Sequence, residues 1–315
     1  TQDSPLPRCD DAIDQMGKAL SMLDGKGRGV VFYHTVDLTA GFWALEVAPQ
    51  DREKLAFVTA KGKWQFIRMP FGLNCAPSYF QRLMESTLQG LAWEICLPYL
   101  DDIAVWSSGS TPEQAFQQGL DRLDLVLERL EWAGLTCKPP KCSLFARSVE
   151  YLGHVCSAEG VSLDPKKISA VGDIDPKSIC TLEKVRAFLG LCGYYRKHVK
   201  DYHLISEPLV ELLKKDANVP QLSQTPEVQK AICEMKAAIC SNPVLAYPRS
   251  DREFHVKTDA ATGHGIGAAL VQLDDPDDEG KRQERPVAYF GRKLNKHERN
   301  YSATECELLA VVDTL

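Results

Sequence analysis

The sequence predicts an α+β chain: a split βαβ sheet of the ferredoxin-like kind, then a helical stretch, then a smaller α/β segment. Three observations carry this. The element order over residues 30–156 reads β-α-β-β-α-β. From about residue 161 the character changes to helices. After Pro248 the pattern becomes strand, tight glycine turn, strand, strand, helix. At 315 residues the chain is too long for one ordinary domain. The boundaries are expected to give segments 1–160, 161–240 and 241–315.

Val30-Val31-Phe32-Tyr33-His34-Thr35-Val36 is a β-branched and aromatic run and reads as the first strand. A second strand pattern follows Gly41, from Phe42 to Val47. Lys61-Gly62-Lys63 reads as a hairpin turn between Ala56-Phe57-Val58-Thr59 and Trp64-Gln65-Phe66-Ile67. A helix is predicted from about Ser78, with Pro77 suited to its first turn and Phe80, Leu83, Met84 and Leu88 on one face. Two strands, Ile95 to Leu100 and Ile103 to Trp106, flank Asp101-Asp102. Thr111-Pro112-Glu113-Gln114 opens the next helix as a capping box, and Gly134 closes it. Phe116, Leu120, Leu123, Leu127 and Leu130 form its apolar stripe. Short strands recur through Tyr151-Leu152-Gly153-His154-Val155. Thr181 to Gly193, Glu207 to Lys215 and Glu227 to Cys240 read as helices.

Hydrophobic residues make up 44% of the chain, enough for buried cores and too many for a disordered one. No run of eighteen apolar residues marks a membrane span. Thr1 to Asp14 is polar and acidic, unlike a signal or transit peptide. Eleven cysteines without a C-x-x-C pair suit free thiols in a reducing compartment. Cys137, Cys142 and His154 lack the second close pair that a zinc set needs. A net charge of −6 runs against the basic stripe usual in nucleic-acid binders. A groove, however, can be basic on an acidic protein. Asp274-Asp275-Pro276-Asp277-Asp278-Glu279 reads as a solvated loop. Asp10-Asp11-Ala12-Ile13-Asp14 matches the D-D-x-x-D motif of terpene synthases, a wholly helical class that the β-patterns contradict.

The chemistry centres on Tyr99-Leu100-Asp101-Asp102. A hairpin tip is a rigid mount for the hard oxygen ligands that Mg²⁺ needs, although a plain polar turn has the same composition. Asp37 ends an apolar strand that a split βαβ sheet can lay beside this hairpin. Asp37 and Asp101 would then bridge two metals, an arrangement that stabilises both the attacking and the leaving oxygen of a phosphoryl transfer.

Several blocks, in order, resemble the motifs of reverse transcriptases from gypsy-class LTR retrotransposons. They are Val36-Asp37-Leu38 through Gly41-Phe42-Trp43, Lys54-Leu55-Ala56-Phe57, and Arg68-Met69-Pro70-Phe71-Gly72-Leu73-Asn74-Cys75-Ala76-Pro77. Phe80-Gln81-Arg82-Leu83-Met84, Tyr99-Leu100-Asp101-Asp102 and Tyr151-Leu152-Gly153-His154 follow. The resemblance implies a right-hand polymerase palm with partial fingers over residues 1–160, a thumb and connection over 161–240, and the N-terminal part of an RNase H-like domain over 241–315. It implies RNA-directed DNA synthesis on a primer–template from deoxynucleoside triphosphates, with two Mg²⁺ per active site or Mn²⁺ in their place. It also implies a pol polyprotein setting beside protease and integrase, in a cytoplasmic particle or the nucleus.

Residue by residue, the resemblance makes Asp37 and Asp101 metal ligands and Asp102 the adjacent carboxylate. Phe42 falls at the steric gate against a ribose 2′-hydroxyl; an ordinary core phenylalanine is the alternative. Phe71 and Gly72 fall where backbone packs on the incoming nucleotide, beside Tyr99. Lys141 matches a lysine that protonates pyrophosphate, or is a solvated surface lysine. Tyr151, Leu152, Gly153 and His154 resemble the hairpin that grips the primer end, or form a plain hairpin. Arg196 and Lys197 would contact phosphates from the thumb, or solvate a helix end. In the last segment Asp259 would be the first RNase H metal carboxylate. Glu305 has capping-box spacing from Ser302, which leaves Glu307 for the second metal-ligand position.

The sequence departs from the family at Ala44 and Leu55 and in the long stretch 24–31. Its start at Thr1 and end at Leu315 read as a fragment, with feeble polymerase and no RNase H activity expected. The rival expectation is a non-catalytic, element-derived protein that binds nucleic acid or a protein partner.

Overall fold

The computed structural model describes residues 6–21, 29–275 and 281–315. Thr1 to Pro5, residues 24–28 of the long stretch and Pro276 to Glu279 of the acidic run lie outside the described residues. The chain divides into two compact units, Thr1–Leu152 with Cys156–Ala158 and Gly153–Val155 with Glu159–Leu315.

The first unit runs through α1 (Cys9–Gln15), α2 (Lys18–Ser21), β1 (Val30–Asp37), β2 (Ala56–Thr59), β3 (Gly62–Gln65) and α3 (Ala76–Thr87). It continues with β4 (Cys96–Tyr99), β5 (Asp102–Gly109), α4 (Pro112–Trp132), β6 (Ser143–Ala146) and β7 (Ser148–Tyr151). Strands β4, β5, β1 and β6 lie side by side in that order, all neighbours antiparallel. With a helix between β1 and β4 and another between β5 and β6, this is the predicted split βαβ sheet. Strand β5 has a neighbour on each edge and residues Ile103 to Ser108 are all buried, so its sequence shows no alternation. Helices α3 and α4 supply Phe80, Met84, Leu123, Val126 and Leu130 to the core around Val36, Ile103 and Val105.

Four local expectations are corrected in this unit. Phe42 to Val47 is not a strand: Gly41–Ala44 forms a 3₁₀ turn, and Glu46 makes only an isolated bridge with Arg68. The cause is local, because Ala40 takes a left-handed conformation (φ 50°) and Gly41 is pressed against Phe80, where a Cβ would stand 2.6 Å from Cζ. The hairpin turn of β2 and β3 is Ala60-Lys61, one residue early, since Thr59 pairs with Gly62. Helix α4 turns a different face inward than its large apolar residues suggest. Phe116, Leu120 and Leu127 are exposed, while Ala115, Gly119, Leu123, Val126 and Leu130 are buried. A Cβ on Gly119 would meet Phe145 at 2.8 Å and Ser107 Oγ at 2.9 Å, so α4 approaches the sheet on its smallest residues. Its cap is half the expected box. Thr111 Oγ1 accepts from the Gln114 amide, but the Gln114 side chain accepts from Ser110 Oγ instead of the cap backbone.

In β8 (His154–Ser157) the chain passes between the units. It continues with β9 (Gly160–Leu163), α5 (Pro165–Gly172), α6 (Leu182–Tyr194), α7 (Tyr202–Glu211), α8 (Val219–Leu222) and α9 (Pro226–Cys240). Val185, Phe188, Leu209, Ile232, Met235 and Ile239 are central to the helical core. Helix α7 begins five residues before its expected start at Glu207, so Pro208 lies inside the helix and not in the first turn. Strands β10 (His255–Ala261), β11 (Gly265–Leu273) and β12 (Glu284–Lys293) form an antiparallel sheet in that order. Helix α10 (Ala303–Thr314) packs Cys306 and Ala310 against Ile266 and Leu294. Among the described residues no helix is long and apolar enough to cross a membrane.

Candidate active site

Strand β1 delivers Asp37 to the sheet end at which β5 begins. The two strands register Asp37 against Asp102, and the Leu38 amide donates to the Asp101 carbonyl at 3.2 Å. Asp101 occupies the two-residue turn between β4 and β5, where Leu100 takes a left-handed conformation (φ 52°). Gln81 on α3 braces that turn: its Oε1 accepts from the Leu100 amide at 2.8 Å and its Nε2 donates to the Pro98 carbonyl at 3.1 Å. Gln81 is buried, and sequence reasoning quoted it within a motif without giving it a task. Its signal was available: a polar residue on the buried face of an amphipathic helix needs a partner.

Asp37 and Asp101 line one cavity of about 280 Å³, together with Thr39, Phe42, Phe71 and Lys141. Lys141 arrives because the segment before it pairs with the end of β1. Leu38 bridges Cys137, and the Lys138 amide donates to the Asp37 carbonyl at 2.8 Å. Its ammonium stands 3.0 Å from Asp37 Oδ2, and this contact, with Asp101 and Asp102 adding to it, raises the lysine above its ordinary value. Asp102 is also raised, first by burial and then by the Asp101 and Asp37 carboxylates, with Lys141 offsetting part. The end of the sheet therefore gathers the Asp37, Asp101 and Asp102 carboxylates, with Lys141 offsetting part of their charge.

Phe42 is half-buried, edge-on to Phe71 and to Phe80 with ring centroids 5.5 Å apart in both pairs. Phe71 is 62% exposed, so it closes the cavity from the solvent side. Gly72 has φ +89°, a region costly for other residues, and the direction of a Cβ there is open space. Tyr99 pairs with Asp102 across the hairpin and is half-buried.

The donors at this site are of the chemical type that a divalent cation takes. Carboxylate oxygens are hard donors, a lysine ammonium already stands on Asp37, and Mg²⁺ is commonly held by one or two carboxylates with substrate phosphates completing the shell. Among the described residues no group of three His, Cys, Asp or Glu side chains is gathered closely enough to hold an ion without other ligands.

Residues 11–156 match the family described as reverse transcriptase (RNA-dependent DNA polymerase). Residues 225–315 match the RNase H-like domain found in reverse transcriptase. The chain is 35% identical to the retrovirus-related Pol polyprotein from transposon opus of Drosophila melanogaster over 292 residues, 90% of this chain and 28% of that protein. It is 33% identical to that from transposon gypsy of the same organism over 317 residues, 98% of this chain and 28% of that protein. The chain belongs to the reverse transcriptases of gypsy-type retrotransposons. It spans little more than a quarter of the length of these relatives. Its fold is that of the foamy viral protease-reverse transcriptase solved with double-stranded DNA (TM-score 0.76, 21% identity, 95% of this chain and 49% of that one). The foamy viral protein solved with an RNA/DNA hybrid is also similar (TM-score 0.75, 20% identity, 100% of this chain and 38% of that one).

In this reverse transcriptase the remaining expected residues divide sharply. Tyr151 is buried, and its hydroxyl donates to the Leu97 carbonyl at 3.0 Å. His154 is also buried, in a stack with His198 and edge-on to Tyr195. Between them, Leu152 (φ 46°) and Gly153 (φ 70°) are half-exposed. Tyr195 donates its hydroxyl to the Gly153 carbonyl at 2.8 Å, a brace that sequence reasoning did not single out. Arg196 is exposed and lines a cavity with Tyr202 and Phe290, and Lys197 is half-buried.

Asp259 and Glu307 are both exposed. Asp259 pairs with Gly267, while the next residue, Ala260, pairs with Ile266 and belongs to the core beneath α10. Strand alternation thus points Asp259 to the face away from α10, which carries Glu307. Asp259 lines a cavity of about 380 Å³ with Lys200, Asp201, Lys257 and Tyr289, and Glu307 is not among its walls. Glu305 completes the capping box, accepting from the Ser302 amide at 2.8 Å while its own amide donates to Ser302 Oγ at 3.4 Å.

Proposed function

We propose that the chain is the polymerase core of an RNA-directed DNA polymerase, which joins a deoxynucleotide to a primer 3′-hydroxyl and releases pyrophosphate. The convergence of Asp37 and Asp101 on one cavity walled by Phe42 and Phe71 carries this reading. Asp37 and Asp101 would hold divalent cations, Mg²⁺ or Mn²⁺, with Asp102 adding charge beside them. Bound there, such ions stabilise the attacking and departing oxygens of the transfer. Phe42 and Phe71 shape the space for the sugar, with Tyr99 nearby, and Gly72 leaves the backbone open to an incoming triphosphate. Lys141 stands where it can hold a proton beside the leaving phosphate. The Leu152–Gly153 turn would meet the primer end, and Arg196 and Lys197 would meet phosphates of the duplex.

Hybrid cleavage would belong to the RNase H-like part; Asp259 and Glu307, which stand on different faces of its sheet, do not form one metal pair in this arrangement. Protease and integrase are the expected neighbours in a pol polyprotein acting in a cytoplasmic particle or the nucleus. Primer extension on RNA and DNA templates with Mg²⁺ tests the polymerase reading, with Asp101→Asn as the control. Extension by the parent chain and none by the variant is expected; no extension by the parent overturns it.

A further inference from the structure

One buried titratable side chain has no part in the proposed reaction. His203, on the first turn of α7, is 8% exposed, and neither ring nitrogen has a hydrogen-bond partner. Both nitrogens are out of water without compensation, an arrangement tolerable only for a neutral ring.

The ring lies on a floor of glycines from the three-stranded sheet. A Cβ on Gly265 would stand 2.6 Å from Cδ2 and Nε2 of His203, and one on Gly267 would stand 3.6 Å from Cε1. A Cβ on Gly291 would overlap Nδ1 outright. The imidazole therefore occupies volume that any other residue at 265 or 291 would claim. Asp201, two residues before it in a left-handed conformation, also leans on this floor, with Oδ1 3.4 Å from the position of a Gly267 Cβ. Lys200 and Asp201 form one wall of the cavity that contains Asp259. His203 takes its seat two residues after that wall.

We propose that His203 is a pH-sensitive latch: as a neutral ring it locks the start of α7 onto the glycine floor of β11 and β12, and on taking up a proton it leaves, dissolving the cavity around Asp259. The charges that bear on it come from both sides. Asp201 and Glu207 on its own segment favour the proton, and Lys293 on β12 opposes it. Lys293 is itself held by Glu207 at 3.0 Å and Glu211 at 3.7 Å. Burial is the largest influence and holds the seated ring below its ordinary value of 6.5. Above about pH 6.5 the seated and released rings are both neutral and the latch keeps its full strength. Below that the released ring binds a proton first, so opening becomes easier by up to about tenfold per pH unit until the seated ring also titrates. This device is independent of the polymerase reading.

The test is hydrogen exchange on the full chain between pH 7.5 and 5.5, with rates normalised to those of unstructured peptides. Protection of segments 201–211 and 265–293 should fall with pH in the parent protein and lose that extra slope in His203→Ser. Gly291→Ala should lose protection already at pH 7.5, and Gly291→Ala with His203→Ser should recover it. The imidazole resonance of His203, followed by NMR in the parent protein, should titrate below 6.5. An unchanged slope in His203→Ser, full protection in Gly291→Ala, or a His203 midpoint at or above 6.5 would each overturn the latch.

Discussion

Gln81 holds Leu100 by the backbone from a neighbouring helix, and so fixes the left-handed residue that turns the chain toward Asp101. Gln81→Met keeps the volume and removes its hydrogen bonds, including one to Glu85, leaving the Leu100 amide and the Pro98 carbonyl without that partner. The expected loss is roughly 1–3 kcal/mol of stability, read from the urea midpoint. Primer extension should fall further than the lost folded fraction explains, because the Asp101 turn is no longer set.

Lys141 competes with a cation for Asp37. Lys141→Ala should lower the Mg²⁺ concentration for half-maximal binding, measured by calorimetry, by about two- to fivefold, the scale of an exposed ion pair. Extension at saturating Mg²⁺ should slow. Weaker Mg²⁺ binding would show that Lys141 assists the ion instead of standing in for it.

Asp102 is raised above its ordinary value by burial, Asp101 and Asp37. The unfolded carboxyl titrates near 3.8, so below that value Asp102 is protonated in both states; folding loses the benefit as pH rises through the folded value. At neutral pH without divalent ions, Asp102→Asn should therefore raise the melting temperature, by about 1–2 °C after solvent screening. Added Mg²⁺ should narrow the difference. Lower stability of the variant at neutral pH would contradict the repulsion among these carboxylates.

Phe42 stands between Phe71 and Phe80 on the cavity wall. Phe42→Val should relax discrimination against ribonucleotides while deoxynucleotide incorporation persists, as read from competitive primer extension. Unchanged ribonucleotide use would return Phe42 to an ordinary packing role.

Ser302 and Glu305 cap α10, whereas Glu307 makes no part of that box. Ser302→Ala should cost roughly 1 kcal/mol of helix stability, seen as faster exchange of the α10 amides. Glu307→Ala should leave those amides unchanged. Equal effects from both would mean that Glu307 also has a structural task.

The strand ends of the candidate site were legible because Asp37, Asp101 and Asp102 each interrupt an apolar run at a point where the βαββαβ order brings strands together. What stayed hidden was carried by residues with little hydrophobic signal. The buried face of α4 rests on Ala115 and Gly119, which periodicity passes over in favour of Phe116 and Leu120. The turn at Gly41 depends on a left-handed Ala40, a conformation that composition does not announce. The brace from Gln81 and the seat of His203 are tertiary facts, since each requires knowing which backbone or which glycines lie opposite. The Asp259 and Glu307 pairing followed from motif order, and strand parity, which motif order does not contain, sends them to different sides of the sheet.

The pairing of β1 with β5 also sets a schedule for the ribosome. His34 and Ser107, in contact across these two strands, are separated by 73 residues of chain. At about 5–20 residues per second, β1 would wait roughly 4 to 15 seconds after its own synthesis before its partner is made. During that interval Val31, Tyr33 and Val36, all buried in the finished sheet, lack the strand that flanks them on one edge. Slowing translation between the two strands should lengthen that interval, and with it the aggregated fraction.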